Sequence, residues 1–218
     1  MRGGLQHISD DDFARAVIAE QFAHAPRLDP SGTSWLPFPF WVTGGAMMVF
    51  GRWLAVARAV AFGLNGAGAA LVLAALRRAG VDRVTALAGA VLAMATPWNA
   101  CLGAAAVPEG FTGAFVAAAT IAAGSGRGST RAWMNVALLC ASLSRYEVWP
   151  ACLLVTVWEL ARLRAMRVKA SASEEWVPWK AIVVALIPML GPAAWMAWNL
   201  HAHGSATHFL ARVAAYRH

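Results

Sequence analysis

The chain has 218 residues, of which 59% are hydrophobic and only 13% are charged, whereas soluble globular proteins carry about 25% charged residues. A mean hydropathy of +0.54 and long apolar runs exclude a disordered, collagen-like or disulfide-stapled chain. The formal net charge of +7 comes from basic residues that lie between apolar runs, which is typical of membrane topology and not of a nucleic-acid surface.

Residues 1–52 precede the first apolar run of spanning length and are expected to form a loop with juxtamembrane helices. Asp10, Asp11 and Asp12 begin a predicted amphipathic helix, with Ser9 or Asp10 as its N-cap. Carboxylates favour a helix N-terminus through the helix dipole alone. The alternative is that they serve as a general base or bind a cation, and their spacing leaves both interpretations open.

An aromatic stretch covers residues 34–50. Trp35 and its aromatic neighbours suit a membrane interface, but Pro37, Pro39 and two glycines interrupt the stretch. We therefore expect a short juxtamembrane helix on the outer face. The alternative is a membrane helix, which would reverse every orientation downstream.

Six apolar runs follow, and a spanning helix needs about 20 residues. They cover residues 53–76, 84–107, 110–123, 132–144, 148–161 and 179–200. The sequence thus predicts an all-α integral membrane protein with about six transmembrane helices over residues 53–200. The middle three runs are short, and residues 201–218 are expected to start a further outer segment.

Basic residues lie in alternate connections of this predicted bundle, and such connections are cytoplasmic as a rule. They are Arg77, Arg78 and Arg83, then Arg127 and Arg131, then Arg162, Arg164, Arg167, Lys169 and Lys180. This places the acidic front end and the tail outside. Because nothing carries the front end across the membrane, the chain looks truncated at its start, and its tail also suggests a longer chain.

The run Ser144-Arg145-Tyr146-Glu147 interrupts the apolar residues from 132 to 161. We expect two short helices that meet at Arg145 below the outer surface. One tilted helix is the alternative, but it would put the next basic cluster outside. An arginine and a glutamate at that depth require partners.

Glu109 follows Pro108 at the predicted outer end of the second helix, and Arg58 lies one turn inside the outer end of the first. With Arg145 these residues would form an outward-facing pocket of carboxylates and guanidiniums. Arginine binds phosphate oxygens through charge-assisted hydrogen bonds, and a carboxylate can deprotonate a hydroxyl. Snorkelling or pairing with neighbours would explain the same charges without a site.

The order of these features resembles the GT-C superfamily of membrane glycosyltransferases, including protein O-mannosyltransferases and bacterial aminoarabinose transferases. The matching residues are Asp11-Asp12 with Ala16 and Ala19, the stretch from Trp35 to Trp41, Phe50-Gly51 with Arg58, Glu109, and Arg145 in its Ser-Arg-Tyr-Glu run. The chain would correspond to the N-terminal half of such an enzyme.

This resemblance implies inverting transfer of a sugar from a polyprenyl-phosphate donor to a glycan, lipid or protein acceptor, at the periplasmic face of a bacterial inner membrane. Asp11 would be the general base, supported by Asp12, and Glu109 would share the site. Asp11 and Glu109 would also be the ligands if a divalent cation is used. The residues implied in substrate binding are Arg58, Arg145, Tyr146, Glu147 and Trp35.

Two departures from the family pattern bear on these assignments. A third aspartate, Asp10, leaves the register of the acidic pair open by one residue, and Leu36 stands where the aminoarabinose branch has a lysine. The alternative function is a non-catalytic membrane bundle, either a transporter fragment or an assembly scaffold. Such a bundle would not need Asp11, Glu109 and Arg58 to converge.

Overall fold

A computed structural model describes residues 10–32, 34–125, 131–169 and 179–215, and within these ranges the chain is helical, without strands. Ser9, Arg127 and the other residues of the gaps lie outside the described ranges. The α-helices are α1 (Asp10–His24), α2 (Phe38–Phe50), α3 (Leu54–Ala79), α4 (Arg83–Ala95), α5 (Pro97–Ala104), α6 (Glu109–Ser125), α7 (Arg131–Ser142), α8 (Trp149–Lys169), α9 (Trp179–Leu186), α10 (Leu190–His203) and α11 (His208–Ala215).

Helix α6 lies at the centre of the main hydrophobic core, where it packs between α3 and α7. Phe111 and Phe115 of α6 and Met134 of α7 are almost fully buried there. Helices α3 and α6 approach closely, since a Cβ added at Gly68 would lie 2.7 Å from the Cβ of Ala114. Small residues permit such close helix packing, and it fixes the position of Glu109 at the start of α6.

Two helical stretches are long and apolar enough to cross a membrane, Leu54–Ala79 and Trp179–His203. Helices α4 and α5 make a third only if they are counted as one span, because they meet at an angle of 73°. The predicted six spans are therefore not confirmed. Helices α6 and α7 are short, and α8 carries Glu159 and several basic residues along its 21 residues.

Prolines break two of these stretches, and asparagine side chains bind the carbonyls that the prolines leave without a donor. Pro97 cannot donate to the Ala93 carbonyl, which accepts instead from Asn99 Nδ2 at 2.7 Å. Pro188 likewise cannot donate to the Val184 carbonyl, which accepts from Asn135 Nδ2 at 2.8 Å.

Asn135 also joins α7 to α8, because its Nδ2 donates to Glu159 Oε2 at 2.9 Å. One turn earlier on α8, Thr156 Oγ1 donates to the Ala185 carbonyl at 3.0 Å. All three side chains are buried. This polar cluster therefore holds α7 and α8 against the proline-broken helix and gives the buried Glu159 carboxylate a hydrogen-bond donor.

Helices α1 and α2 pack against each other and lead into α3. A Cβ at Gly44 of α2 would lie 2.6 Å from the Ala19 carbonyl of α1, so glycine is required at this crossing. Gly51 follows the last residue of α2, and its φ of 97° favours glycine. The close crossing fixes the side of α1 that faces the protein, and with it the direction of Asp12 and Arg15.

Asn135→Leu is expected to lower the free energy of unfolding by about 1–3 kcal/mol, because Glu159 and the Val184 carbonyl both lose a buried donor. Thermal unfolding in detergent micelles measures the change. Thr120→Leu is the control, since Thr120 is exposed on α6 and bonds a carbonyl of its own helix. An equal melting temperature for the two variants would contradict the bridging role of Asn135.

Candidate functional site

The start of α1 is tied to the segment that leads into α6. Asp12 is 3% exposed, and its Oδ1 accepts a hydrogen bond from the backbone N–H of Ala106 at 2.6 Å. Ala106 precedes Glu109 by three residues. This contact, between residues 94 positions apart, helps to hold the acidic front end near the start of α6.

Glu109 and Arg145 form an ion pair, in which Arg145 Nη1 donates to Glu109 Oε1. Glu147 holds the other edge of the same guanidinium, with Nη2 to Oε1 at 3.0 Å and Nε to Oε2 at 3.2 Å. The structure has one helix on each side of this junction, since α7 ends at Ser142 and α8 begins at Trp149 after a 3₁₀ turn. Arg145 is thus held between two carboxylates.

Arg15 is a part of this site that the sequence analysis missed. Its side chain lies on the inner face of α1, 4% exposed, with its guanidinium carbon 4.3 Å from the centre of the Trp35 ring. Its Nε and Nη1 are buried and have no hydrogen-bond partner among the described residues. Arg15 follows Asp11 and Asp12 at helical spacing, and that spacing is the only signal that could have found it.

Burial lowers the pKa of the Arg15 guanidinium from its ordinary value to about 10, and the carboxylates of Glu109 and Asp11 partly offset the desolvation. The side chain therefore remains cationic at neutral pH. The folded protein holds this proton less tightly than the unfolded chain does. At neutral pH the burial of charged Arg15 therefore lowers the free energy of unfolding. The charges of both carboxylates therefore act on one guanidinium.

A cavity of about 180 Å³ lies between these elements. It is lined by Arg15, Ser34, Trp35, Leu36, Ser144, Arg145, Tyr146, Glu147 and Val213. Four residues that the resemblance implies in substrate binding therefore meet in one cavity. The fifth, Arg58, is exposed on α3 and lies outside this lining, and the binding role of all five residues stays a prediction.

Tyr146 supports the rim of the cavity. Its hydroxyl accepts a hydrogen bond from Trp195 Nε1 at 3.0 Å, and its ring stacks on Phe209 with the ring centres 4.7 Å apart. Arg212, also in α11, pairs with Asp29 at 3.6 Å. Helix α11 is thereby fixed beside the cavity.

Metal binding finds little support in this geometry. Within the described ranges, no three His, Cys, Asp or Glu side chains are grouped to hold an ion. A divalent cation at Asp11 and Glu109 would also lie close to Arg15 and Arg145, whose charges repel it. Both acids already lie near guanidinium groups, and a divalent metal ion at Asp11 and Glu109 stays a prediction.

No family model, no curated protein and no solved structure matches this chain.

Asp12→Ala is expected to speed hydrogen exchange of the Ala106 amide by about tenfold, because that N–H loses its charged acceptor. Exchange measured by mass spectrometry on the peptide before α6 tests this expectation. Asp10→Ala removes an exposed carboxylate from the same helical turn and should leave the amide protected. Equal exchange in both variants would show that Asp12 does not tie α1 to α6.

Proposed function

We propose that the chain is part of a GT-C-like membrane glycosyltransferase, which transfers a sugar from a polyprenyl-phosphate donor with inversion. The observation that carries this proposal is Arg15, a buried guanidinium in a cavity that it shares with Arg145, with two nitrogens that have no partner in the described part of the chain. Burying a charge without satisfying its donors costs free energy. An anionic ligand that binds there would offset this cost.

The phosphate of the donor would bind chiefly to Arg15. The guanidinium of Arg145 is already held by Glu109 and Glu147, whereas Nε and Nη1 of Arg15 are donors without a partner among the described residues. Either N–H can donate a charge-assisted hydrogen bond to a phosphate oxygen. Arg145 would contribute positive charge and the N–H groups that do not bond to Glu109 or Glu147.

Asp11 is the proposed general base. It lies on α1 one turn before Arg15, is exposed, and its charge reaches the Arg15 guanidinium. Its carboxylate would take the proton of an acceptor hydroxyl while the hydroxyl oxygen bonds to the anomeric carbon. The bond from that carbon to the phosphate oxygen would break, and Arg15 would stabilise the polyprenyl phosphate that leaves.

The finer topology belongs to the same proposal. The apolar helices support a membrane protein. We infer that the bundle spans a bacterial inner membrane about six times, with the short helices in its interior. The cavity beside α1 and α11 would then face the periplasm, where the polyprenyl-linked sugar is presented.

Arg15→Met should weaken binding of undecaprenyl phosphate by at least about tenfold, because a charge-assisted contact contributes about 1.5–3 kcal/mol. The fold should survive, since an apolar side chain of similar length often replaces a buried charge without loss of stability. Binding is measured on the purified protein in lipid nanodiscs. Arg52→Met, at an exposed arginine outside the cavity, is the matched control.

Two results would contradict the assignment of Arg15. One is unchanged affinity in Arg15→Met, which would favour the non-catalytic membrane bundle. The other is a loss in Arg58→Met that exceeds the loss in Arg15→Met, which would move the phosphate to the exposed face of α3.

Asp11→Asn should lower sugar transfer by about 100-fold or more, because amide nitrogen and oxygen cannot take a proton in place of the carboxylate. The assay follows labelled hexose from a polyprenyl-phosphate hexose in reconstituted vesicles, with undecaprenyl phosphate affinity as the check on folding. Asp10→Asn is the comparison at the neighbouring carboxylate. Retained transfer in Asp11→Asn together with loss in Asp10→Asn would move the base by one residue.

A further inference from the structure

A second hollow, separate from the cavity beside Arg15, has Glu109 in its lining. Two adjoining cavities of about 250 Å³ and 560 Å³ lie among α3, α4, α5 and α6. They share Asn65, Ala69, Ala90, Met94 and Asn99. The other walls are mostly apolar, and we call the joined space the α3–α4 groove.

The α3–α4 groove lies against a helix that can cross a membrane. Phe62 and Leu73 of α3 and Leu87 and Val91 of α4 line its wider part, and α3 is one of the two stretches long and apolar enough to span. Phe62, Leu87 and Val91 are also among the exposed large hydrophobic residues. A hydrocarbon chain therefore suits this part of the groove.

The polar end of the groove offers hydrogen-bond acceptors without donors. Asn65 is 3% exposed, and its Nδ2 donates to the Ala61 carbonyl at 2.8 Å. Its Oδ1 lies against Gly110, where no side chain would fit, and has no hydrogen-bond partner within the described ranges. Glu109 Oε2, in the same lining, is also buried and has no partner in these ranges.

Two buried acceptors without donors select the head group of the ligand. They require a donor such as a hydroxyl, and the negative charge of Glu109 disfavours a phosphate or carboxylate head. Apolar walls beyond them require a chain. A neutral lipid with a hydroxyl head satisfies all three conditions.

We propose that the α3–α4 groove binds a neutral, hydroxyl-bearing lipid, and that this lipid is the acceptor of the sugar. The identification as acceptor rests on the proposed function, in which Glu109 lies between the donor cavity and this groove. Its Oε1 faces Arg145 of the donor cavity, whereas its Oε2 lies unpartnered and the residue lines the groove. Asn65 and Glu109 hold the acceptor hydroxyl, and the chain of the lipid lies along α3 and α4.

The test uses two photoreactive lipids with the same diazirine-bearing oleoyl chain. One is 1-oleoylglycerol, which has two hydroxyls, and the other is methyl oleate, which has none. The purified protein in nanodiscs is labelled under light, and mass spectrometry maps the labelled residues. We expect saturable labelling at Leu73 and Met94 by 1-oleoylglycerol, with clearly weaker labelling by methyl oleate.

Variants separate the polar end of the groove from its walls. Asn65→Leu removes the unpartnered oxygen. The apparent affinity of unlabelled 1-oleoylglycerol, measured by its competition with the photoreactive lipid, should fall by about fivefold. Gly66→Leu fills the wider part of the groove, where an added Cβ meets nothing within 4 Å. Gly63→Leu, one turn earlier on α3 and equally open but outside the lining, is the matched control and should bind normally.

Equal labelling by the two lipids would overturn the proposal, and so would unchanged competition in Gly66→Leu, even if Asn65→Leu failed to fold. The outcome is also separable from that of the proposed function, because no donor is present in the labelling. If undecaprenyl phosphate binding depends on Arg15 but 1-oleoylglycerol does not label the groove, only the acceptor proposal fails. If the groove is labelled but Arg15→Met binds undecaprenyl phosphate normally, the groove stands as a lipid site and the glycosyltransferase proposal fails.

Discussion

The buried guanidinium of Arg15 is the constraint around which α1, the segment before α2 and the start of α6 are organised. A cation taken out of water needs opposite charge and an aromatic or polar surface close by. Asp11 and Glu109 supply the charge, and Trp35 supplies the ring face. These three residues come from α1, from the segment before α2 and from α6, so the position of one side chain depends on three elements at once.

Satisfaction of backbone groups explains much of the remaining polar structure. Proline breaks α4 from α5 and α9 from α10, and each break leaves a carbonyl that needs a donor. Asn99 and Asn135 supply these donors, so polar residues inside an apolar bundle have a structural reason to be there. Asn65 differs, because its amide nitrogen is bonded but its oxygen is not. Asn99 and Asn65 both line the α3–α4 groove, and of the two Asn65 is the one whose buried side-chain oxygen has no partner among the described residues.

Glu109 lies where the two hollows approach each other. Its ion-pair partner Arg145 lines the cavity beside Arg15, whereas Glu109 itself lines the α3–α4 groove. Its position at the start of α6 depends on the close contact of α6 with α3, which small residues allow.

The sequence by itself determined the helical, apolar character of the chain, the helix that begins at the aspartates and the break at Arg145. Periodicity, composition and charge act locally along the chain, and these features depend on nothing else. Only the tertiary structure decided that Arg15 enters the site while Arg58 stays exposed on α3, because this depends on which face of each helix packs inward. It also decided that the apolar run from 84 to 107, which is long enough for one span, forms two helices that meet at an angle of 73°. Which hydrogen-bond groups remain without partners, at Arg15 and at Asn65, follows from contacts between distant segments, and no local pattern encodes those contacts.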